Sequence, residues 1–125
     1  MAERTPPHSE SHERSCCPIA CTLDLVGDRW TLLVVRDLFR GVATFSEFRR
    51  SPEGIAPNIL SSRLAMLVER GFVERVAGPT GKRQIYRLTA KGRSLGPLLR
   101  AIVEWGLDNI EGTEARLAPE GWRDA

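Results

Sequence analysis

The sequence predicts a mainly α-helical chain with one small β-hairpin, an α+β fold, and three observations carry that prediction. Leu60, Leu64 and Leu67 recur at i, i+4 and i+7, the spacing of a helix buried along one face. Apolar stripes of helical character also follow Pro18, Asp28 and Thr89. Between residues 72 and 88 the pattern changes to two short β-type runs around Gly78-Pro79-Thr80-Gly81, the signature of a hairpin.

At 125 residues the chain suffices for one domain with a real core and is short for two. Its 42% apolar and 27% charged residues are ordinary for a soluble globular protein. No run approaches the ~18 apolar residues of a membrane span. The N-terminus is polar and lacks the apolar core of a signal peptide, so the expected location is cytoplasmic. The net charge of +2 hides an asymmetry: residues 41–100 carry eleven Lys and Arg against four Glu, while residues 101–125 carry two Arg against six acids. A basic middle suits a phosphate-binding surface, although a solvated basic face would give the same count.

Residues 1–15, with Pro6, Pro7, several Ser and mixed charge, read as a flexible arm. A first helix starts near Pro18, places Ile19, Leu23 and Val26 on one face, and stops at Gly27. Asp28 is suited to cap a second helix, Arg29 to Arg40, closed by Gly41. That helix is apolar on two sides, with Trp30, Leu33, Val34 and Leu38 on one and Leu32, Val35 and Phe39 on the other. It should therefore be covered on both, by the DNA-reading layer on one side and by something else, a second subunit being one candidate, on the other. Thr44 and Glu47 have capping-box spacing around a short helix that turns Phe45 and Phe48 inward.

Pro52-Glu53-Gly54 supplies a turn, and Pro57 opens a longer helix that lacks a good cap at Ala56 and ends at Gly71. Strands are expected at 72–76 and 84–88, with Tyr86 and Leu88 facing the core. Thr89 caps a last helical region, in which Gly96-Pro97 should force a kink or a restart. Helix, helix, helix-turn-helix, wing and terminal helix together make a winged helix-turn-helix over residues 16–112. A frayed tail is expected over 113–125.

Several motifs, in this order, resemble the HxlR-type bacterial transcription regulators. They are Cys17-Pro18-Ile19, Thr22-Leu23-Asp24-Leu25-Val26-Gly27-Asp28-Arg29-Trp30-Thr31, Phe45-Ser46-Glu47-Phe48 and Gly54-Ile55-Ala56-Pro57. Leu60-Ser61-Ser62-Arg63-Leu64, Tyr86-Arg87-Leu88-Thr89-Ala90-Lys91-Gly92 and Glu104-Trp105 continue the match, which spans about residues 17–107. The resemblance implies a homodimer that binds double-stranded DNA at a palindromic or near-palindromic operator. It also implies pairing through the first and last helices, here by Ile19, Leu23, Leu98, Ile102 and Trp105. The chain departs from the family pattern at Ala56, where a Ser or Thr is frequent.

The polar side of the longer helix offers Asn58, Ser61, Ser62 and Arg63, side-chain types that bond base edges and phosphates. The competing reading is the wet face of an amphipathic helix. Lys82 and Arg83 at the hairpin tip are expected on phosphate or in the minor groove, with Arg49 and Arg50 as weaker candidates. Cys16, Cys17 and Cys21 are odd in number and crowded, which is no disulfide framework. Cys17 precedes a helix start, a place that favours a reactive thiol, and the resemblance adds that some members sense oxidants or electrophiles there. The alternatives are packing or interface roles for the cysteines, and a metal-responsive site on the three of them with His12 nearby. Any effector is left open among an oxidant, an electrophile and a small molecule, and no cofactor is expected. No carboxylate pair, nucleophile elbow or phosphate loop favours an enzyme. A protein-binding winged helix is the remaining alternative, and the basic middle weighs against it.

Overall fold

A computed structural model describes residues 14–81 and 83–114. Expectations for the first thirteen residues, for Lys82 and for the tail from residue 115 fall outside that range. The chain runs α1 (Pro18–Val26), α2 (Thr31–Phe39), α3 (Phe45–Phe48), α4 (Pro57–Glu69), β1 (Val73–Ala77), β2 (Gln84–Leu88), α5 (Ala90–Arg93) and α6 (Gly96–Asn109). Arg14 and Ser15, expected at the end of the arm, are tied back to α1. Arg14 Nε donates to Asp24 at 2.8 Å, and Ser15 Oγ accepts the Cys17 N–H at 2.9 Å.

The second helix is shorter than Arg29–Arg40. The Asp28 carboxylate accepts the N–H groups of Trp30 at 3.0 Å and Thr31 at 3.2 Å, which holds residues 28–30 as a turn. Gly41 closes α2 at φ +93, with its N–H on Leu38 O and that of Val42 on Asp37 O, a Schellman ending. Gly71 closes α4 the same way at φ +85: its N–H meets Val68 O, and Phe72 N–H meets Leu67 O. Phe72 is thereby committed to the helix ending, so the strand begins one residue later than expected. Thr44 and Glu47 make the reciprocal capping box, whereas Ala56 gives α4 no side-chain cap.

The core joins Val34, Val35 and Leu38 of α2 to Phe48, Ile55, Leu60, Leu64, Leu67, Phe72, Val73 and Leu99. Tyr86 and Leu88 pack on it from β2, Tyr86 meeting Phe48 edge-on at 6.3 Å. The hairpin is antiparallel, with Val73 opposite Leu88 and Ala77 opposite Gln84. Two contacts seat it. Tyr86 N–H bonds Ala43 O at 2.8 Å, and Thr89 N–H bonds Phe72 O at 3.0 Å. Gly92 lies so close to Phe72 that an added Cβ would stand 2.1 Å from its carbonyl oxygen.

The last helical region restarts rather than bends: α5 stops at Arg93, and α6 begins with Pro97 in its first turn. One side of α2 remains open. Leu32 and Leu33 face Leu99, Ile102, Val103 and Leu107 across a groove of about 840 Å³.

Candidate nucleic-acid interface

α3, the Pro52–Gly54 turn and α4 form the helix-turn-helix, and two ion-pair systems hold it, one on α2 and one at Asp28 just before α2. The first is buried. Arg36 donates through Nη1 and Nη2 to Glu53 at 2.7 and 2.9 Å, and through Nε to Asp37 at 3.0 Å. Asp37 also accepts the Ser51 hydroxyl, so both ends of the turn are fastened to one helix. The Arg36 hydrogen bonds hold the Glu53 carboxyl below the usual carboxylate range, against the opposing effect of burial.

The second is Asp28 with Arg63. Asp28 Oδ2 receives Arg63 Nε at 2.8 Å in addition to the two backbone N–H groups, while Oδ1 takes the Thr31 hydroxyl. Burial alone would raise the Asp28 pKa. The hydrogen bonds from Thr31, Arg63 and Trp30, with the Arg63 charge, instead hold it at about 2, against an ordinary 3.8.

The four candidate readers on α4 are not equivalent. Asn58, Ser61 and Ser62 are exposed on the side opposite Leu60, Leu64 and Leu67. Arg63 stands one position before Leu64, at the flank of the buried face, and is half-buried beside Asp28. Its Nη1 donates to Ser62 Oγ at 3.2 Å, and Nη2 has no partner among the described residues. Arg49 and Arg50 are exposed just after α3.

In the wing, Gly78 N–H bonds Arg83 O at 2.7 Å, and Gly81 turns the chain at φ +75. Arg83 is exposed there, and its neighbour Lys82 lies outside the described residues. Arg87 is engaged across the strands by Glu74 at 2.6 Å. Lys91 sits over the Phe72 ring at 4.6 Å and donates to the Arg70 carbonyl at 3.0 Å, at the C-terminal end of α4.

Ile19, Leu23, Ile102 and Trp105 are exposed in the single chain, Ile19 by 71% and Trp105 by 63%, and Leu98 is half-buried. Cys17 is exposed at the N-cap of α1, and Cys16 is exposed beside it. Cys21 is half-buried, its thiol on Ser15 O at 3.3 Å. Among the described residues no three Cys, His, Asp or Glu side chains gather closely enough to hold a metal ion. The metal-responsive alternative on Cys16, Cys17 and Cys21 also draws on His12, which lies outside the described residues. Among the described residues no helix is long and apolar enough to cross a membrane.

Asp28 is legible in the sequence only as a cap, and the Arg36–Asp37–Glu53–Ser51 network is not legible there. Two charges inside an otherwise apolar helix were its one visible signal.

Comparison with known proteins agrees with this architecture. Residues 25–114 match the family described as HxlR-like helix-turn-helix. An HTH-type transcriptional regulator of Mycobacterium tuberculosis is 42% identical over 111 residues, covering 86% of this chain and 70% of that protein. Among solved structures, the candidate transcription factor PA1607 superposes with a TM-score of 0.75 at 48% identity, over 83% of this chain and 72% of its own. The redox regulator HypR in its oxidised form superposes with a TM-score of 0.68 at 32% identity, over 76% of this chain and 99% of its own. The chain is a winged helix-turn-helix protein and belongs to the HxlR-like family of DNA-binding transcription regulators.

Proposed function

We propose that this chain acts as a homodimer that reads a two-fold symmetric operator with α4 and steadies itself on DNA with its wing. The observation that carries the reading is the exposed polar row of Asn58, Ser61 and Ser62 on a helix clamped from behind at both the turn and Arg63. In the major groove Asn58 suits adenine, and the two hydroxyls suit base edges or phosphate oxygens. Arg63 contributes its unengaged Nη2. Arg83 and Lys82 supply salt-dependent affinity from the wing, with a smaller share from Arg49 and Arg50.

Ile19, Leu23, Leu98, Ile102 and Trp105 form the dimer contact. Four of these, Ile19 and Leu23 on the first helix and Ile102 and Trp105 on the last, are large apolar side chains exposed in the single chain, as an uncovered interface would leave them. Thiol control through Cys17 is the regulatory reading. It is supported by that residue's exposure at a helix N-cap and by the likeness to HypR. Modification there would act on the helix that carries Ile19 and Leu23, and so on the spacing of the two reading helices.

Titration of duplex DNA at rising salt tests the DNA reading. Affinity should fall as a power of salt concentration, and Arg83→Ala should lower the slope by about one unit per protomer. Association that ignores salt would instead favour the protein-binding alternative. For the thiol, diamide or hypochlorite should change operator binding of the wild type and leave Cys17→Ser unaffected; an unchanged wild type removes Cys17 from the account.

A further inference from the structure

Asp28 lies in the corner between α1 and α2, outside the helix-turn-helix and outside every residue so far assigned to DNA. We infer that Asp28 is a positioning residue for DNA recognition: through Arg63 it fixes the side chains that α4 presents to the groove. This rests on the DNA reading proposed above.

The geometry is a relay of three groups. The Asp28 carboxylate is itself immobilised, because it accepts the backbone N–H groups of Trp30 and Thr31 and the Thr31 hydroxyl. It takes Arg63 Nε at 2.8 Å, from a residue thirty-five positions away. That contact sets the plane of the guanidinium, whose Nη1 donates to Ser62 Oγ at 3.2 Å. A serine oxygen that accepts from arginine keeps its own proton free, so Ser62 faces outward as a donor. Nη2 of Arg63 is left as a second donor. Phosphate oxygens, and the N7 and O6 acceptors of guanine, are what two fixed donors select.

An unheld arginine on a helix flank would sample many rotamers and lose conformational entropy on meeting DNA. The carboxylate incurs that cost during folding instead. The sign of the effect separates positioning from simple charge. Asp28 is negative and close to the proposed interface, so removing its charge should by itself strengthen binding to any DNA. Positioning demands the opposite for a specific site.

The test is Asp28→Asn in the full chain, since asparagine remains a good cap for the Trp30 and Thr31 N–H groups. Binding is measured to the site that the wild type selects from random duplexes and to an unrelated duplex, at one salt concentration. Specific affinity should fall by about five- to a hundredfold, the discrimination carried by one base contact, with unrelated-duplex affinity unchanged or raised. A merely structural role would lower both affinities together through the folded fraction, and that result overturns the inference.

Arg63→Ala should lose preference at the same base position, and the double variant should be no worse than the worse single. Effects that multiply would show that Asp28 acts independently of Arg63 and would also overturn it. If the wild type selects no site at all, the DNA reading fails first and the inference fails with it. Wild-type selection with an indifferent Asp28→Asn sinks only the inference.

Discussion

Replacing Arg36 by methionine should destabilise the protein by about 3 kcal/mol at neutral pH. The magnitude follows from what the substitution strands. The Arg36 and Asp37 side chains are only 9% and 7% exposed, whereas Glu53 is 30% exposed. Methionine keeps the aliphatic stem and the packing, and the released Glu53 can turn to water. Asp37 cannot; it is left with the Ser51 hydroxyl and no cation. Breaking a buried pair costs about 3–5 kcal/mol, and the partial escape of Glu53 puts this case at the lower end.

Urea unfolding at fixed protein concentration reads the change, because the stability of the proposed dimer would depend on concentration. With a slope of about 1.5 kcal/mol per molar, the midpoint should drop by about 2 M. Arg36→Met combined with Asp37→Asn should recover part of that loss, giving a coupling of at least about 1 kcal/mol. A single variant costing under about 0.5 kcal/mol, the range of an ordinary surface change, would mean that Asp37 is not stranded by the loss of Arg36. Strictly additive costs would do the same.

Other outcomes follow from the same geometry. Gly92→Ala forces a Cβ to within 2.1 Å of Phe72 O, so it should destabilise by about 1–3 kcal/mol and lower the melting temperature visibly. Acid should remove the Asp28 contribution. Its folded pKa of about 2 lies below the ordinary 3.8, so the contribution is full above pH ~4 and fades as the pH falls toward ~2. The side chain is 32% exposed, so solvent screening reduces this to about 1 kcal/mol; Asp28→Asn should flatten stability in that window, and equal acid sensitivity of the two proteins would dismiss it. Trp105→Ala removes a ring that is 63% exposed in the single chain, so it should shift sedimentation toward monomer with little loss of protomer stability. Unchanged dimer mass would take Trp105 out of the interface.

Most of the fold was legible because burial leaves a period in the sequence. Leu60, Leu64 and Leu67 showed the inner face of α4, and both the capping box at Thr44 and the glycine endings at Gly41 and Gly71 lie where local chemistry places them. The errors were local too. α2 began at Thr31 because the Asp28 side chain competes for its first N–H groups, and β1 slipped one residue because Phe72 completes the α4 ending.

The candidate site was legible only in part. Asn58, Ser61 and Ser62 lie where helical geometry puts them, but Arg63 belongs equally to a contact with Asp28 thirty-five residues earlier. Arg36 reaches Glu53 across seventeen residues. Periodicity reports which face is buried; it carries no information on which charges meet across two elements.

The exposed side of α4, duplicated by the proposed dimer, is expected to read DNA. The measurement is selection of bound sites from random duplexes, run with the wild type and with Asn58→Ala/Ser61→Ala/Ser62→Ala. The wild type should enrich an inverted repeat with half-sites about one helical turn (~10 bp) or a multiple apart. The triple variant should lose that repeat while keeping salt-dependent binding to unrelated duplex. Enrichment of the same repeat by both proteins, or of none by the wild type, would contradict the account.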